Sequence, residues 1–188
     1  MKTGLLIVDM QNEYFPGGIM ELSGMDEASV KAKDLLSFFR QNRWPIFHIQ
    51  HVIPDTTSPV FAPNTRGMQI HDRVQPLPGE RVITKNHPNS FRATSLMREL
   101  QEAGIERLVI CGAMSHMCVE ATTRAAADLG FDCIVVHDAC ATMNLEFKST
   151  TIPAEYVHGT AMASLGFAYA TVMSVSRYIS SVASAKAT

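Results

Sequence analysis

Several common functional signatures are missing from this chain of 188 residues. Its four cysteines, Cys111, Cys118, Cys133 and Cys140, form no C-x-x-C pair and show no metal-site spacing. No glycine-rich phosphate-binding loop follows the first apolar run, and the 16 Lys and Arg residues do not cluster into basic runs. These absences argue against a cysteine-ligated zinc site, the common nucleotide-binding loops and a nucleic-acid partner.

Long hydrophobic runs are also absent. The first residues, MKTGLLIVDM, contain a short apolar run that Asp9 interrupts, and it is too short for a signal sequence or a membrane span. With 46% hydrophobic residues, 18% charged residues and a formal net charge of -2, the composition is that of a globular domain with a full core. We expect one cytoplasmic domain over residues 1–188, with reduced cysteines, no membrane partner and a tail that frays from about residue 183.

What the chain does contain is a regular alternation of two kinds of segment. Short runs rich in Ile and Val predict buried strands at Gly4–Asp9, Pro45–His51, Arg81–Thr84, Arg107–Cys111, Phe131–Val136 and Ala168–Met173. Helical spacing of apolar residues marks Asp26–Asn42, Thr94–Ala103, Val119–Leu129 and Ala154–Leu165. The alternation predicts a three-layer α/β/α, doubly wound fold with about six mainly parallel strands. Such sheets bind ligands beyond the carboxyl ends of their strands.

One connection, residues 53–80, shows no periodicity and holds five of the nine prolines. Loops of this length in a compact domain are usually functional or disordered. Its Phe61, Arg66, His71 and Arg73 are candidates for a substrate pocket or a subunit contact, and the alternative for each is an ordinary surface or loop-packing position.

Three chemically capable residues follow predicted strands. Asp9 ends the first strand, Lys85 follows the third, and Cys118 follows the fourth at the start of a helix. Parallel strands bring these positions to one edge of the sheet, where the helix N-terminus and the ammonium would favour a thiolate. Asp9 is placed to accept the thiol proton and return it to a leaving amine. Backbone amides of the turn at 112–118 are candidates for an oxyanion hole.

Four stretches resemble the isochorismatase-like cysteine hydrolases: LLIVDMQNEYF, ITKNHPNSF, LVICGAMSHMCVEATTRAAADLGF and VVHDACAT. That family includes nicotinamidases, N-carbamoylsarcosine amidase, ureidoacrylate amidohydrolase and streptothricin hydrolase. The resemblance covers nearly the whole chain, with its motifs in the same order. It implies that Asp9 is the general acid/base, Lys85 the second member of a catalytic triad and Cys118 the nucleophile.

The resemblance also implies finer features of the site. It places a cis peptide bond between Ala113 and Met114 and an oxyanion hole in the backbone amides of Met114 and Cys118. It assigns six residues to the substrate pocket, namely Asn12, Phe15, Ser90, Phe91, His116 and Met117, and places Asp138 and Thr142 as structural support near the site. Members of the family are commonly homo-oligomers, so we expect a homo-oligomer here.

A metal site is not expected. Nicotinamidases of the family carry an Asp and His metal site after the second strand, whereas this chain has His48, His51 and Asp55 there. Residues three apart on a strand point to opposite faces, so the two histidines cannot easily share an ion. We therefore expect neither a metal nor another cofactor.

The sequence thus predicts hydrolysis of a small-molecule amide, ureido or related C–N bond through a covalent acyl-enzyme on Cys118. Two alternatives remain open. One is isochorismatase-type hydrolysis of a vinyl ether, in which Asp9 acts as a general acid and the thiol does not attack. The other is a non-catalytic ligand-binding or redox-responsive protein that carries an exposed thiol. The substrate itself is not identified, because pocket shape and not the triad decides it.

Overall fold

Six parallel strands form the central sheet of the computed structural model, which describes residues 1–186 of the chain. Their order across the sheet is β3-β2-β1-β4-β5-β8. The bounds are β1 (Thr3–Val8), β2 (Ile46–His51), β3 (Arg81–Lys85), β4 (Arg107–Ala113), β5 (Asp132–Ala141) and β8 (Thr171–Met173). Two short strands, β6 (Leu145–Phe147) and β7 (Thr150–Ile152), pair separately as an antiparallel hairpin. The predicted doubly wound α/β fold is confirmed.

Helices cover both faces of this sheet. They are α1 (Met25–Gln41), α2 (Leu96–Glu102), α3 (Glu120–Asp128), α4 (Ala154–Ala168) and α5 (Val175–Lys186). Helix α1 packs with α5, and α3 packs with α4, each pair also contacting β5. The strands between them are buried on both faces, which is why their sequences are continuous apolar runs. Within residues 1–186, no helix combines the length and the apolar character needed to cross a membrane.

Two parts of this architecture were not predicted, the hairpin β6–β7 and helix α5. The segment predicted to fray from residue 183 is helical as far as Lys186, and residues 187–188 lie outside the described residues. Helix α5 is anchored at its start, where Val175 N–H donates to Asp138 Oδ1 at 2.8 Å. Its Tyr178 ring stacks on Phe39 of α1 with a centroid distance of 6.0 Å. These tertiary contacts offset the weak apolar pattern of a Ser- and Ala-rich segment.

The long loop at residues 53–80 is built around a short 3-10 turn, Asp72–Val74. Arg73 anchors it to α1 through an ion pair with Asp26 and a hydrogen bond to Ser29 Oγ at 2.9 Å. Glu80 closes the loop, since its carboxylate accepts hydrogen bonds from Arg40 of α1 and from His48 of β2. The loop is therefore fastened at several points to the layer beside the sheet.

Candidate active site

Asp9, Lys85 and Cys118 meet at the carboxyl edge of the sheet, and together they are called the thiol cluster below. Lys85 Nζ lies 2.6 Å from Asp9 Oδ2 and 3.4 Å from Cys118 Sγ. All three side chains are buried, with exposed fractions of 0% for Asp9, 1% for Lys85 and 4% for Cys118. Oδ1 of Asp9 has no hydrogen-bond partner of normal geometry within residues 1–186. The structure thus brings together the acid, the cation and the thiol that the sequence singled out.

Unusual backbone conformations at the strand ends place these groups. Asp9 directly follows β1 with φ 52° and its N–H donates to Ile49 O at 3.0 Å. Gly112 of β4 has φ 143°, and a Cβ there would lie 2.0 Å from Val8 O, so only glycine permits this close approach. Met114 follows with φ 57° and ψ 76° and leads into a π-helical segment, Ser115–Val119. π-helical turns of this kind are frequent at functional sites.

The expected cis peptide bond between Ala113 and Met114 is not found, since no peptide bond of the described residues 1–186 is cis. The chain turns instead through the left-handed conformation of Met114. A non-proline cis bond costs about 3 to 4 kcal/mol, and a trans bond at this position avoids that cost.

The thiol of Cys118 is held in its protonated form. Burial and the nearby Asp9 carboxylate raise its pKa to about 12, against the opposing effect of the Lys85 ammonium. The sequence-based expectation that the ammonium favours the thiolate holds in direction, since Lys85 lowers the pKa, but desolvation outweighs it. A nucleophilic role requires that the proton be removed by a neighbouring base, and Asp9 is that neighbour.

His51 is a member of the site that the sequence analysis did not assign. Its Nδ1 lies 3.1 Å from Lys85 Nζ, which also donates to His87 O at 3.1 Å. The buried Gln11 side chain fixes the His51 backbone, donating to its carbonyl at 2.8 Å and accepting from its N–H at 2.7 Å. A signal was present in the sequence, because His51 and Lys85 end neighbouring strands in matching register.

Tyr14 is the second unassigned member. Burial and the nearby Asp9 carboxylate raise its pKa, and its ring packs against Phe61 with a centroid distance of 5.0 Å. Tyr14 closes the 3-10 turn Asn12–Tyr14 that follows Asp9. Its neighbour Phe15, which the family resemblance assigned to the substrate pocket, stacks its ring on His71 at a centroid distance of 3.6 Å.

Two of the six predicted pocket residues, Asn12 and Phe15, line a cavity of about 350 Å³. Asn12 Nδ2 donates to Arg66 O at 3.0 Å, and residues of the long loop form part of the cavity wall. Arg66 and His71, both proposed from the sequence as pocket residues, line the same cavity. No member of the thiol cluster lines this cavity, so its part in substrate binding stays a prediction.

Ser90 and Phe91, also predicted for the pocket, have structural partners. The buried Ser90 hydroxyl lies 2.8 Å from Thr122 Oγ1, one helical turn beyond Cys118, and the Phe91 ring stacks on Phe131 at 6.1 Å. These contacts hold the loop after β3 against α3 and its C-terminal turn. Ser90 and Phe91 therefore hold the loop that follows Lys85 beside helix α3, which comes directly after Cys118 in the chain.

His116 and Met117, the last two predicted pocket residues, flank Cys118. His116 Nδ1 lies 2.5 Å from Thr142 Oγ1, which confirms that Thr142 supports this region, whereas Met117 is 42% exposed. Asp138, expected to do the same, instead accepts from Val175 N–H at the start of α5.

The two histidines of β2 point to different partners. His48 Nε2–H donates to Glu80 Oε2 at 2.9 Å, while His51 Nδ1 faces Lys85. Within residues 1–186, the His, Cys, Asp and Glu side chains form no group of three or more able to hold a metal ion.

A parallel sheet with a buried acid, cation and thiol at its carboxyl edge is typical of an α/β enzyme. The model of the isochorismatase domain matches residues 3–174 of the chain. The chain therefore belongs to the isochorismatase family and is a hydrolase, in agreement with the resemblance of its motifs.

Relatives cover most of the chain. The uncharacterised isochorismatase family protein YddQ of Bacillus subtilis is 47% identical over 179 residues, which is 95% of this chain and 99% of that protein. A solved isochorismatase structure from Pseudomonas putida KT2440 is 39% identical with a TM-score of 0.88, covering 93% of this chain and 89% of that one. A streptothricin hydrolase of Streptomyces noursei is 36% identical over 80% of this chain and 60% of its own length.

Proposed function

We propose that the protein hydrolyses a C–N bond of a small amide or ureido compound, with Cys118 as nucleophile, Asp9 as general acid/base and Lys85 as their electrostatic partner. The observation that carries this proposal is the geometry of the thiol cluster. A buried thiol and a buried carboxylate both lie against the same ammonium, with Lys85 Nζ 2.6 Å from Asp9 Oδ2 and 3.4 Å from Cys118 Sγ. This arrangement allows a proton to move between the thiol and Asp9 while Lys85 balances the negative charge.

The reaction would proceed in two halves. Asp9 takes the thiol proton as Cys118 Sγ attacks the carbonyl carbon, and the resulting oxyanion collapses as Asp9 gives that proton to the leaving nitrogen. A water molecule then attacks the thioester, with Asp9 accepting its proton and returning it to Sγ. The acid-base group thus ends each cycle in the state in which it began.

The backbone amides of Met114 and Cys118 are proposed to bind the oxyanion. Cys118 lies within the first turn of the helical segment that begins at Ser115, and the neighbouring N–H groups of Met117 and Val119 donate to Met114 O. The first N–H groups of a helix in general include several without an intrahelical acceptor. Ser115 stabilises this turn, because its hydroxyl lies 2.9 Å from His158 Nδ1 of α4 and donates to Ala141 O at 3.3 Å. Removing one oxyanion donor typically costs about 10²- to 10³-fold in kcat.

A substrate screen tests the proposal. It spans nicotinamide, N-carbamoylsarcosine, a simple lactam, isochorismate and streptothricin, the last because one relative is named for hydrolysing it. Each compound is incubated with the wild type, Cys118→Ser and Asp9→Asn. We expect C–N cleavage of at least one compound and loss of that activity in both variants. Turnover that persists in Cys118→Ser would contradict the proposal.

The vinyl ether alternative is a separate outcome of the same screen. It predicts turnover of isochorismate by Cys118→Ala and loss of turnover in Asp9→Asn, since only the acid is then required. The non-catalytic alternative of an exposed low-pKa thiol is not supported, because Cys118 is buried and its pKa is raised.

A cytoplasmic location stays a prediction. We also propose that the chain forms a homo-oligomer. Helix α4 supports the homo-oligomer, because Tyr156 and Phe167 are 64% and 92% exposed on a helix that is apolar on most sides. Light scattering after gel filtration tests it. We expect a mass above 20.7 kDa, and a monomer at micromolar concentration would contradict it.

A further inference from the structure

Three aromatic rings, Tyr14, Phe61 and His51, form a continuous row beside the thiol cluster. The Phe61 ring lies 5.0 Å from the Tyr14 ring and 5.4 Å from the His51 ring, measured between centroids. Phe61 comes from the long loop and is only 3% exposed, so it acts as a buried spacer. Its contacts fix the two polar aromatic residues relative to each other.

The tautomer of His51 follows from its neighbour. Lys85 is an ammonium held by Asp9, so it donates to Nδ1 of His51, which must then carry its proton on Nε2. Burial and the Lys85 charge lower the pKa of His51, which keeps the ring neutral at pH 7. Nε2–H has no hydrogen-bond partner within residues 1–186, and it remains a free donor at the site.

The phenol of Tyr14 is also a neutral hydrogen-bond donor. Its side chain is 2% exposed, and its hydroxyl has no hydrogen-bond partner in the described part of the chain. Burial and the Asp9 carboxylate raise its pKa, so the hydroxyl stays protonated. It is a second neutral donor, two ring contacts away from His51 in the same row.

The thiol cluster, Tyr14 and His51 together carry no net charge. Asp9 and Lys85 cancel each other, while the thiol, Tyr14 and His51 are neutral. A substrate carboxylate brought next to Cys118 would lose hydration and meet the Asp9 charge, with no free cation among these groups. An uncharged carbonyl group would lose less hydration and would accept hydrogen bonds from the two donors.

We propose that Tyr14 and His51, spaced by Phe61, bind the substrate and select uncharged carboxamide or ureido groups over carboxylates. This inference rests on the proposed hydrolysis for its biological meaning, and it names two binding residues and the charge of the group that they accept. It also disfavours a dicarboxylate such as isochorismate as the substrate.

Two alkylating reagents test the inference without a known substrate. Iodoacetamide and iodoacetate share a leaving group and differ in carrying a neutral amide or a carboxylate. Their rate constants with Cys118 are measured by intact mass at pH 8, and the ratio of the two is divided by the same ratio for glutathione. Because both reagents use the same thiolate, a change in the thiol pKa cancels in this ratio.

We expect the normalised ratio of the wild type to exceed that of glutathione by at least about tenfold. Tyr14→Phe and His51→Asn should each lower it about three- to tenfold, the effect of one lost hydrogen bond. His51→Gln, whose amide group extends to the Nε2 position, should recover part of the loss. Tyr156→Phe, on the exposed face of α4, is the matched control and should leave the ratio unchanged.

The inference is overturned if the wild-type ratio equals that of glutathione, or if either Tyr14→Phe or His51→Asn keeps the wild-type ratio. Folding is read from the same spectra. A folded chain gains one adduct, whereas an unfolded chain exposes all four free cysteines. Failure of the proposed hydrolysis would leave the ratio intact, so the two outcomes are separable.

Discussion

At the scale of the residue, the thiol cluster shows that burial can outweigh a nearby cation. The Lys85 ammonium lies 3.4 Å from Cys118 Sγ, yet the pKa of the thiol is raised to about 12. A thiolate removed from water loses hydration worth about several kcal/mol. The Lys85 ammonium offsets only part of this loss, because it is shared with Asp9. The base that takes the thiol proton therefore matters more than the cation beside it.

Replacement of Asp9 by Asn should separate thiol reactivity from hydrolysis. Asn tolerates the left-handed backbone of this position, and the change removes a charge that raises the pKa of Cys118. We expect iodoacetamide to alkylate Cys118 faster at pH 8, about tenfold for each unit by which the pKa falls. Hydrolysis should be lost because no group relays the proton.

The measurement is the pH dependence of the alkylation rate, with the exposed Asp128→Asn as control. An alkylation profile that is unchanged in Asp9→Asn, or that moves to higher pH, would show that Asp9 does not set the state of the thiol.

At the scale of the element, Glu80 joins three parts of the fold. Its carboxylate accepts from Arg40 Nε at 2.7 Å, from His48 Nε2–H at 2.9 Å and from Leu77 N–H at 3.0 Å. Helix α1, strand β2 and the end of the long loop are thereby fixed together. Since this loop carries Phe61, and β2 carries His51, the junction also supports the aromatic row.

This junction predicts acid sensitivity. Burial raises the pKa of Glu80, but the hydrogen bonds from Arg40, Leu77 and His48 outweigh it and lower the value from 4.5 to about 2. A carboxyl group whose pKa is lower in the folded state stabilises the fold above pH 4.5 and loses this contribution as the pH falls towards 2. Urea unfolding should show a loss of about 2 kcal/mol over this range. Glu80→Gln should reduce the dependence of the unfolding free energy on pH, whereas the exposed Glu27→Gln should not. An equal pH dependence for the wild type and both variants would disprove the stabilising role of Glu80.

At the scale of the whole molecule, the carboxyl edge of the sheet could be located from the sequence alone. Asp9, Lys85 and Cys118 each follow an apolar run, and parallel topology requires that such positions meet. The role of Tyr14 could not be predicted, because a single 3-10 turn decides whether it or Phe15 packs against Phe61. His51 required knowledge of the pairing between β2 and β3. The periodicity of apolar residues predicts neither the conformation of a short turn nor which strands are neighbours in the sheet.

Helix α5 illustrates the same limit at the C-terminal end. Its composition predicted a frayed tail, and what orders it is the contact of Tyr178 with Phe39 across the layer. Tyr178→Ala should lower the free energy of unfolding by about 3 kcal/mol, as for other buried aromatic side chains. The exposed Ser180→Ala should change it by less than about 0.5 kcal/mol. A Tyr178→Ala protein as stable as the wild type would mean that α5 contributes little to the fold.

The central claim, that Cys118 forms an acyl-enzyme which Asp9 helps to hydrolyse, is tested most directly with 4-nitrophenyl acetate, a small uncharged acyl donor. Nitrophenolate release is followed by stopped flow, and acid-quenched samples are analysed by intact and peptide mass. We predict an acetyl group on Cys118 that turns over in the wild type, accumulates to one per chain in Asp9→Asn and is absent in Cys118→Ala. Release that continues in Cys118→Ala at the wild-type rate, or acetylation found elsewhere than Cys118, would contradict the account.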